Sequence, residues 1–186
     1  AVGHHRHSSR HGDGELVEIL EQAVNRFRDT PELRVMLINS KGRYFSAGAD
    51  LKQGDAEGRG MPDRGSQVRE SHRRLPMRRI WDEMEGIEKP FVVAHQGPCV
   101  GGGLELILAC DYRIGTRDDG TRVGFPEVKL GIFPGFNGTA RSIRQVGPVA
   151  AMQNMLTGSM IRASTAKALG FFDQLVSSPG ELRWAA

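Results

Sequence analysis

The chain has 186 residues, 39% of them hydrophobic and 25% charged, with 24 Gly and 9 Pro, a composition that fits one globular domain and is too short for two ordinary ones. At this size a hydrophobic core forms without disulfides or metal, so Cys99 and Cys110 need not be staples. The formal charge is only +3, and no apolar run approaches the ~20 residues that span a bilayer, which excludes a bilayer-spanning helix. Two cysteines and no leader-like apolar start predict a reducing, cytoplasmic setting.

The first residues, AVGHHRHSSRHGDG, carry His4, His5, His7 and His11 and are expected to form a disordered segment over 1–14 rather than a metal site. From Glu15 the apolar residues Leu16, Ile19, Leu20, Ala23, Val24 and Phe27 recur at helical spacing, which predicts an amphipathic helix ending near Thr30-Pro31. Val35-Met36-Leu37-Ile38 then reads as a short buried strand. The stretch 53–66 is rich in glycine and charge and reads as a surface loop.

Arg64, Arg69, Arg73, Arg74, Arg78 and Arg79 cluster at 64–79. The ordinary reading is a solvated helix face, and the sharper one a patch for phosphate or RNA. Nothing nearby supplies the aromatic platform that single-stranded recognition favours, so nucleic acid is not an expected partner. Leu75, Ile80, Trp81 and Met84 predict the buried stripe of a second helix, with Pro76 disturbing its start. Phe91–Ala94 reads as another buried strand.

Residues 97–110, GPCVGGGLELILAC, run from a turn through three glycines into an apolar helix, and Asp111–Thr116 can return as a strand. The glycine-rich 123–139 stretch reads as an ordered loop, followed by helices near 138–146, 148–157 and 164–169 and a strand at Phe171–Val176. The rhythm of strand, turn and helix predicts an α/β fold.

Glycine runs occur where the backbone needs unusual dihedrals or where another group must approach it closely. Gly101-Gly102-Gly103 opens a helix, whose first N–H groups have no internal partner and can hold an oxygen that gains negative charge. A tight, closely packed corner is the plainer reading of the glycines alone. Glu105 adds to them, because it is the single charge on a helix with no polar face, and a buried carboxylate is costly unless hydrogen-bonded or used. Glu127, between Pro126 and Val128, repeats the pattern, against the alternative of a solvated loop glutamate. Two such glutamates beside free amides make an acid/base pair suited to adding water across a polarised double bond.

The segments YFSAGADLK at 44–52, KPFVVAHQGPCVGGGLELILACDYRI at 89–114 and GFPEVKLGIFPGFNGTARSIRQVG at 124–147 resemble the crotonase (enoyl-CoA hydratase/isomerase) superfamily, over about Glu15 to Val176. PGFNGT and LTGSMIRASTAKALG lean toward the hydratase module of multifunctional fatty-acid oxidation proteins. The resemblance implies a spiral of repeated ββα units over 15–186, truncated at both ends relative to the family, with C-terminal helices missing. It also implies an enoyl-CoA hydratase acting on 2-enoyl-CoA thioesters, with an isomerase or other acyl-CoA reaction, or an RNA-binding member, as alternatives.

Carried over by position, the resemblance makes Glu105 and Glu127 the catalytic pair and the amides of Ala49 and Gly102 the oxyanion hole, with Ala47, Gly48, Asp50, Leu51 and Gly101 lining the substrate. Arg43 and Lys52 are the basic groups nearest the expected phosphates of coenzyme A. Coenzyme A enters as part of the acyl-CoA substrate, and no metal or separate cofactor is expected. Stand-alone members suggest a homotrimer or a dimer of trimers. Asn137 stands where many members have glycine.

Overall fold

The computed structural model describes residues 13–48 and 76–186. The histidine tract, the expected loop at 53–66, Ala49, Asp50, Leu51 and Lys52, and the arginines from Arg64 to Arg74 lie outside the described residues.

Helix α1 (Asp13–Asp29) follows the predicted spacing and buries Val24 and Phe27. Its last carbonyls have no helical partner, and Lys89 Nζ supplies one, donating to the carbonyls of Phe27 and Thr30 at 2.8 Å each. Strand β1 (Met36–Asn39) alternates between half-buried and exposed side chains. Helix α2 (Pro76–Gly86) places its proline in the first position, where the missing N–H costs no helical bond, and buries Ile80, Trp81 and Met84. Within the arginine cluster, Arg78 pairs with Asp82, and Arg79 pairs with Glu21 and so joins α2 to α1.

Strand β2 (Phe91–His95) is buried at every residue because it lies between two parallel neighbours and under layers on both faces. With β4 (Tyr112–Thr116) and β7 (Gln174–Val176) it completes a parallel sheet of order β1-β2-β4-β7. A smaller sheet holds β3 (Pro98–Val100), β5 (Arg122–Gly124) and β6 (Ile161–Arg162), with β3 and β5 parallel and β6 antiparallel to β5. Ser46 bridges to Cys99 alongside β3. Successive turns of the chain therefore place one segment in each sheet: β1 then Ser46, β2 then β3, β4 then β5. That is a spiral of repeated units, as the resemblance implies.

The remaining helices are α3 (Gly102–Leu108), α4 (Gly138–Val146), α5 (Pro148–Thr157), α6 (Ala163–Leu169) and α7 (Leu182–Ala185), with a 3-10 turn over Pro126–Leu130. Strands β3, β5 and β6 have two or three residues each, too short to carry a periodic signal; the sequence reads the first as part of a turn and the second as the start of a loop, and assigns no element to the third. The expected strand at Phe171–Val176 is shorter than its apolar run. Gly170 closes α6 in a left-handed conformation, and Phe171 and Phe172 turn into the core before β7 begins.

His95, the last residue of β2, is completely buried, with its ring edge-on to Phe45 and stacked on Phe172 at 5.2 Å. Burial pushes its pKa down to about 3, against a weaker upward pull from the Asp118 carboxylate. The folded state thus holds a neutral ring that the unfolded chain protonates below about pH 6.5. This contribution to stability is complete above that pH and is lost as pH falls toward 3, at up to about 1.4 kcal/mol per unit. Denaturant melts from pH 7 down to pH 4 are expected to show a stability loss that His95→Phe flattens.

Candidate active site

The site is built where the loop after β1 meets the corner between β3 and α3. Phe45 N–H donates to the Pro98 carbonyl at 3.0 Å, and Val100 N–H donates to the Ser46 carbonyl at 3.1 Å. The loop is thereby stitched along β3. Ser46 Oγ then accepts from the Gly48 amide at 3.3 Å, turning the chain at Ala47, which is exposed. A Cβ placed on Gly101 would lie 3.9 Å from the Gly48 Cα, so these two backbones run side by side.

Gly101 has φ 56 and ψ −128, a conformation that a side chain would strain. Its carbonyl accepts from the amides of Leu104 and Glu105. The N–H of Gly102, the first helical residue, is one of those that a helix leaves without an internal acceptor. Gly103 packs directly on the side chains of Ser46 and Cys99, which admits no side chain there and fixes α3 against the loop.

Glu105 is 1% exposed, one turn into α3 among Leu104, Leu106 and Ile107. Its Oε1 accepts the Phe136 amide at 2.7 Å and the Gly138 amide at 2.8 Å. Gly138 opens α4, so the carboxylate also sits at the positive end of that helix. Burial nevertheless dominates and raises its pKa to about 7. The two amides and Arg141 pull it back, while the Glu127 charge adds to the rise. Glu127, in the 3-10 turn after β5, is 8% exposed, and its pKa is likewise raised by burial.

The two carboxylates flank one backbone corner. A Cβ on Gly101 would meet Oε1 of Glu127 at 3.0 Å, and one on Gly102 would lie 3.9 Å from Oε2 of Glu105. Of the residues expected in the site, the structure brings together Gly48, Gly101, Gly102, Glu105 and Glu127, with Ala47 one residue before Gly48. Ala49, Asp50 and Leu51 lie outside the described residues. Sequence reasoning missed Phe136 and Gly138, whose amides hold Glu105, and Arg141 behind them. The glycine-rich GFNGT run just before a helix was the signal for the first two. Arg43 stacks over Tyr44 at 5.9 Å. Among the described residues no three His, Cys, Asp or Glu side chains are grouped as a metal would require. Cys99 and Cys110 are free, buried thiols whose pKa values burial pushes upward.

Residues 13–183 match the family model described as enoyl-CoA hydratase/isomerase. Among curated proteins, the chain is 38% identical over 168 residues to a fatty acid oxidation complex subunit alpha of Vibrio campbellii, which covers 87% of this chain and 22% of that one. It is 41% identical over 153 residues to the enoyl-CoA isomerase/hydratase fer4 of Mycosarcoma maydis, covering 82% of this chain and 52% of that one. Among solved structures, an enoyl-CoA hydratase from Bacillus anthracis superposes with a TM-score of 0.79 at 31% identity, covering 93% of this chain and 63% of that one. The chain thus spans about a fifth of the length of the Vibrio protein.

Because the folded pKa of Glu105 lies above that of a free glutamate, folding favours its protonated form. Its contribution to stability is present below the unfolded pKa of about 4.5 and is lost as pH rises through about 7. Glu105→Gln mimics the protonated carboxyl and keeps an acceptor for the Phe136 and Gly138 amides. It is expected to be more stable than the parent by about 2 kcal/mol at pH 8 and nearly equal at pH 4.5, as read by urea denaturation at the two pH values.

Proposed function

The chain belongs to the enoyl-CoA hydratase/isomerase family of the crotonase superfamily, and on that footing we propose that it adds water across the double bond of 2-enoyl-CoA thioesters. The observation that carries this reading is the placement of two buried carboxylates on either side of the Gly101-Gly102 corner.

In this reading the thioester carbonyl oxygen accepts from the Gly102 amide and from that of Ala49. As water adds at the β-carbon, the acyl group becomes an enolate and its oxygen gains charge. Donors already in place stabilise that charge without reorganising, and loss of one such donor costs about 100- to 1,000-fold in rate. Glu105 orients the water and takes one of its protons while the hydroxyl joins the β-carbon. Glu127 delivers a proton to the α-carbon. One water is consumed, and the pair is left with its proton on the opposite carboxyl, which the next exchange with solvent resets. Raised pKa values in both carboxyls support this division, since a site that must give one proton and take another at neutral pH needs a pair holding one between them. Coenzyme A enters with the substrate and leaves with the product, and the chemistry calls for no redox cofactor.

The nearest other reaction is double-bond isomerisation, which keeps the enolate and moves a proton between carbons without water. Following the loss of enoyl absorbance from a short 2-enoyl-CoA with the full-length protein separates the two, because an isomerase leaves that substrate unhydrated. Glu105→Gln and Glu127→Gln are each expected to lower kcat for hydration by about 100-fold or more with little change in KM. Near-parental rates in either variant would remove that residue from its role.

A further inference from the structure

Arg141 stands in the second turn of α4 and is 1% exposed, the largest charged side chain buried to this degree among the described residues. A buried guanidinium is costly unless its donors are met, and an apolar side chain of similar volume usually fills such a space at lower cost. Here Nη1 and Nη2 meet three acceptors, while Nε is buried and meets none among the described residues. One Nη1 bond goes to the Phe136 carbonyl at 2.5 Å, and Nη2 bonds to Asp82 Oδ1 at 2.7 Å and to Glu85 Oε2 at 2.8 Å, both on α2. The N–H of the same Phe136 residue donates to Glu105 at 2.7 Å. Helix α2, Arg141, Phe136 and Glu105 therefore form one continuous polar chain from the surface to the glycine corner.

We propose that Arg141 is a positioning residue for Glu105: braced by Asp82 and Glu85, it fixes the Phe136–Gly138 segment whose two amides set the direction and charge of that carboxylate. The proposal rests on Glu105 being the base of the hydration reaction. A guanidinium serves this purpose where an apolar filler would not, because it grips a peptide carbonyl directionally and also places a positive charge near the acidic pair. The charged groups acting on Glu105 are Glu127 from the 3-10 turn and Arg141 from α4. Those bonded to Arg141 are Asp82 and Glu85, and Glu85 is shared with Arg144 at 2.6 Å.

The test uses the full-length protein and measures kcat and KM for hydration of a 2-enoyl-CoA from roughly pH 5.5 to pH 9, with Arg141→Met, Arg141→Lys and the double variant Asp82→Asn with Glu85→Gln. With its positive neighbour removed, Glu105 ionises at higher pH. Arg141→Met is expected to lower kcat about tenfold, to change KM by less than about threefold, and to move the acid limb of the kcat profile upward by about half a unit or more. Arg141→Lys keeps the charge and restores the position of the limb while recovering kcat only in part. A folded Arg141→Met protein whose acid limb has not moved, or whose loss lies wholly in KM, overturns the proposal.

If Arg141→Met does not fold, the double variant decides, since Asp82 and Glu85 have side chains 44% and 29% exposed. A several-fold fall in its kcat at unchanged KM supports the brace, and a parental kcat overturns it. Glu105→Gln separates this inference from the reading beneath it. A parental protein that never hydrates a 2-enoyl-CoA sinks the functional assignment, an active Glu105→Gln protein removes Glu105 as the base, and an inactive Glu105→Gln protein together with an unmoved Arg141→Met limb sinks only the role of Arg141.

Discussion

A carboxylate buried in an apolar helix and held by two peptide N–H groups is the constraint from which the rest of the site follows. Leaving Glu105 unpaired in such surroundings would cost several kcal/mol. The chain meets that cost by bringing a distant segment to it: Phe136 and Gly138 lie 31 and 33 residues away and donate to the same oxygen. Once this contact is required, the position of α4 against α3 is no longer free. Gly138 must stay without a side chain, because a Cβ there would crowd Cγ and Oε1 of Glu105. Ser142, one turn on, returns its hydroxyl to the Gly138 carbonyl at 2.6 Å and further fixes that first turn.

Asn137 explains how two amides separated by one residue can reach one oxygen. It adopts φ 74, the only positive φ at a non-glycine position among the described residues. A left-handed residue between two N–H groups turns both toward a common point, as in the anion-binding nests formed by backbone. Asparagine tolerates this conformation better than most side chains, and glycine tolerates it best. The departure at this position, which the sequence left without a mechanism, is therefore a substitution between the two residue types that the required dihedral favours.

What the sequence made legible divides along physical lines. The helices at 138–146 and 148–157, the buried strand β2 and the burial of Glu105 could be read, because each is written in local periodicity or in the anomaly of one charge among apolar neighbours. The short strands of the second sheet could not. Val123 and Gly124 are strand residues only because β3 lies beside them, and that pairing is a long-range fact. Arg141 was invisible for a related reason. In GTARSIRQV it looks like any helical arginine, since its burial depends on α2 bringing Asp82 and Glu85 across a separation of more than fifty residues. The arginine cluster invited the reverse error. Arg79, a candidate for a phosphate-facing surface, is engaged with Glu21.

The two glutamates resemble each other in sequence context but not in their surroundings, and the difference bears on how readily each ionises. Both are pushed toward the protonated form by burial, and the Glu127 charge pushes Glu105 further the same way. Burial acts more strongly on Glu105, the deeper of the two. Against this, Glu105 alone receives the amides of Phe136 and Gly138 and the field of Arg141, all of which favour its ionised form. The same groups that anchor Glu105 in space therefore make its anion attainable near neutral pH despite its depth. Position and protonation are controlled here by one set of contacts, so disturbing the α2–Arg141–Phe136 chain alters both together.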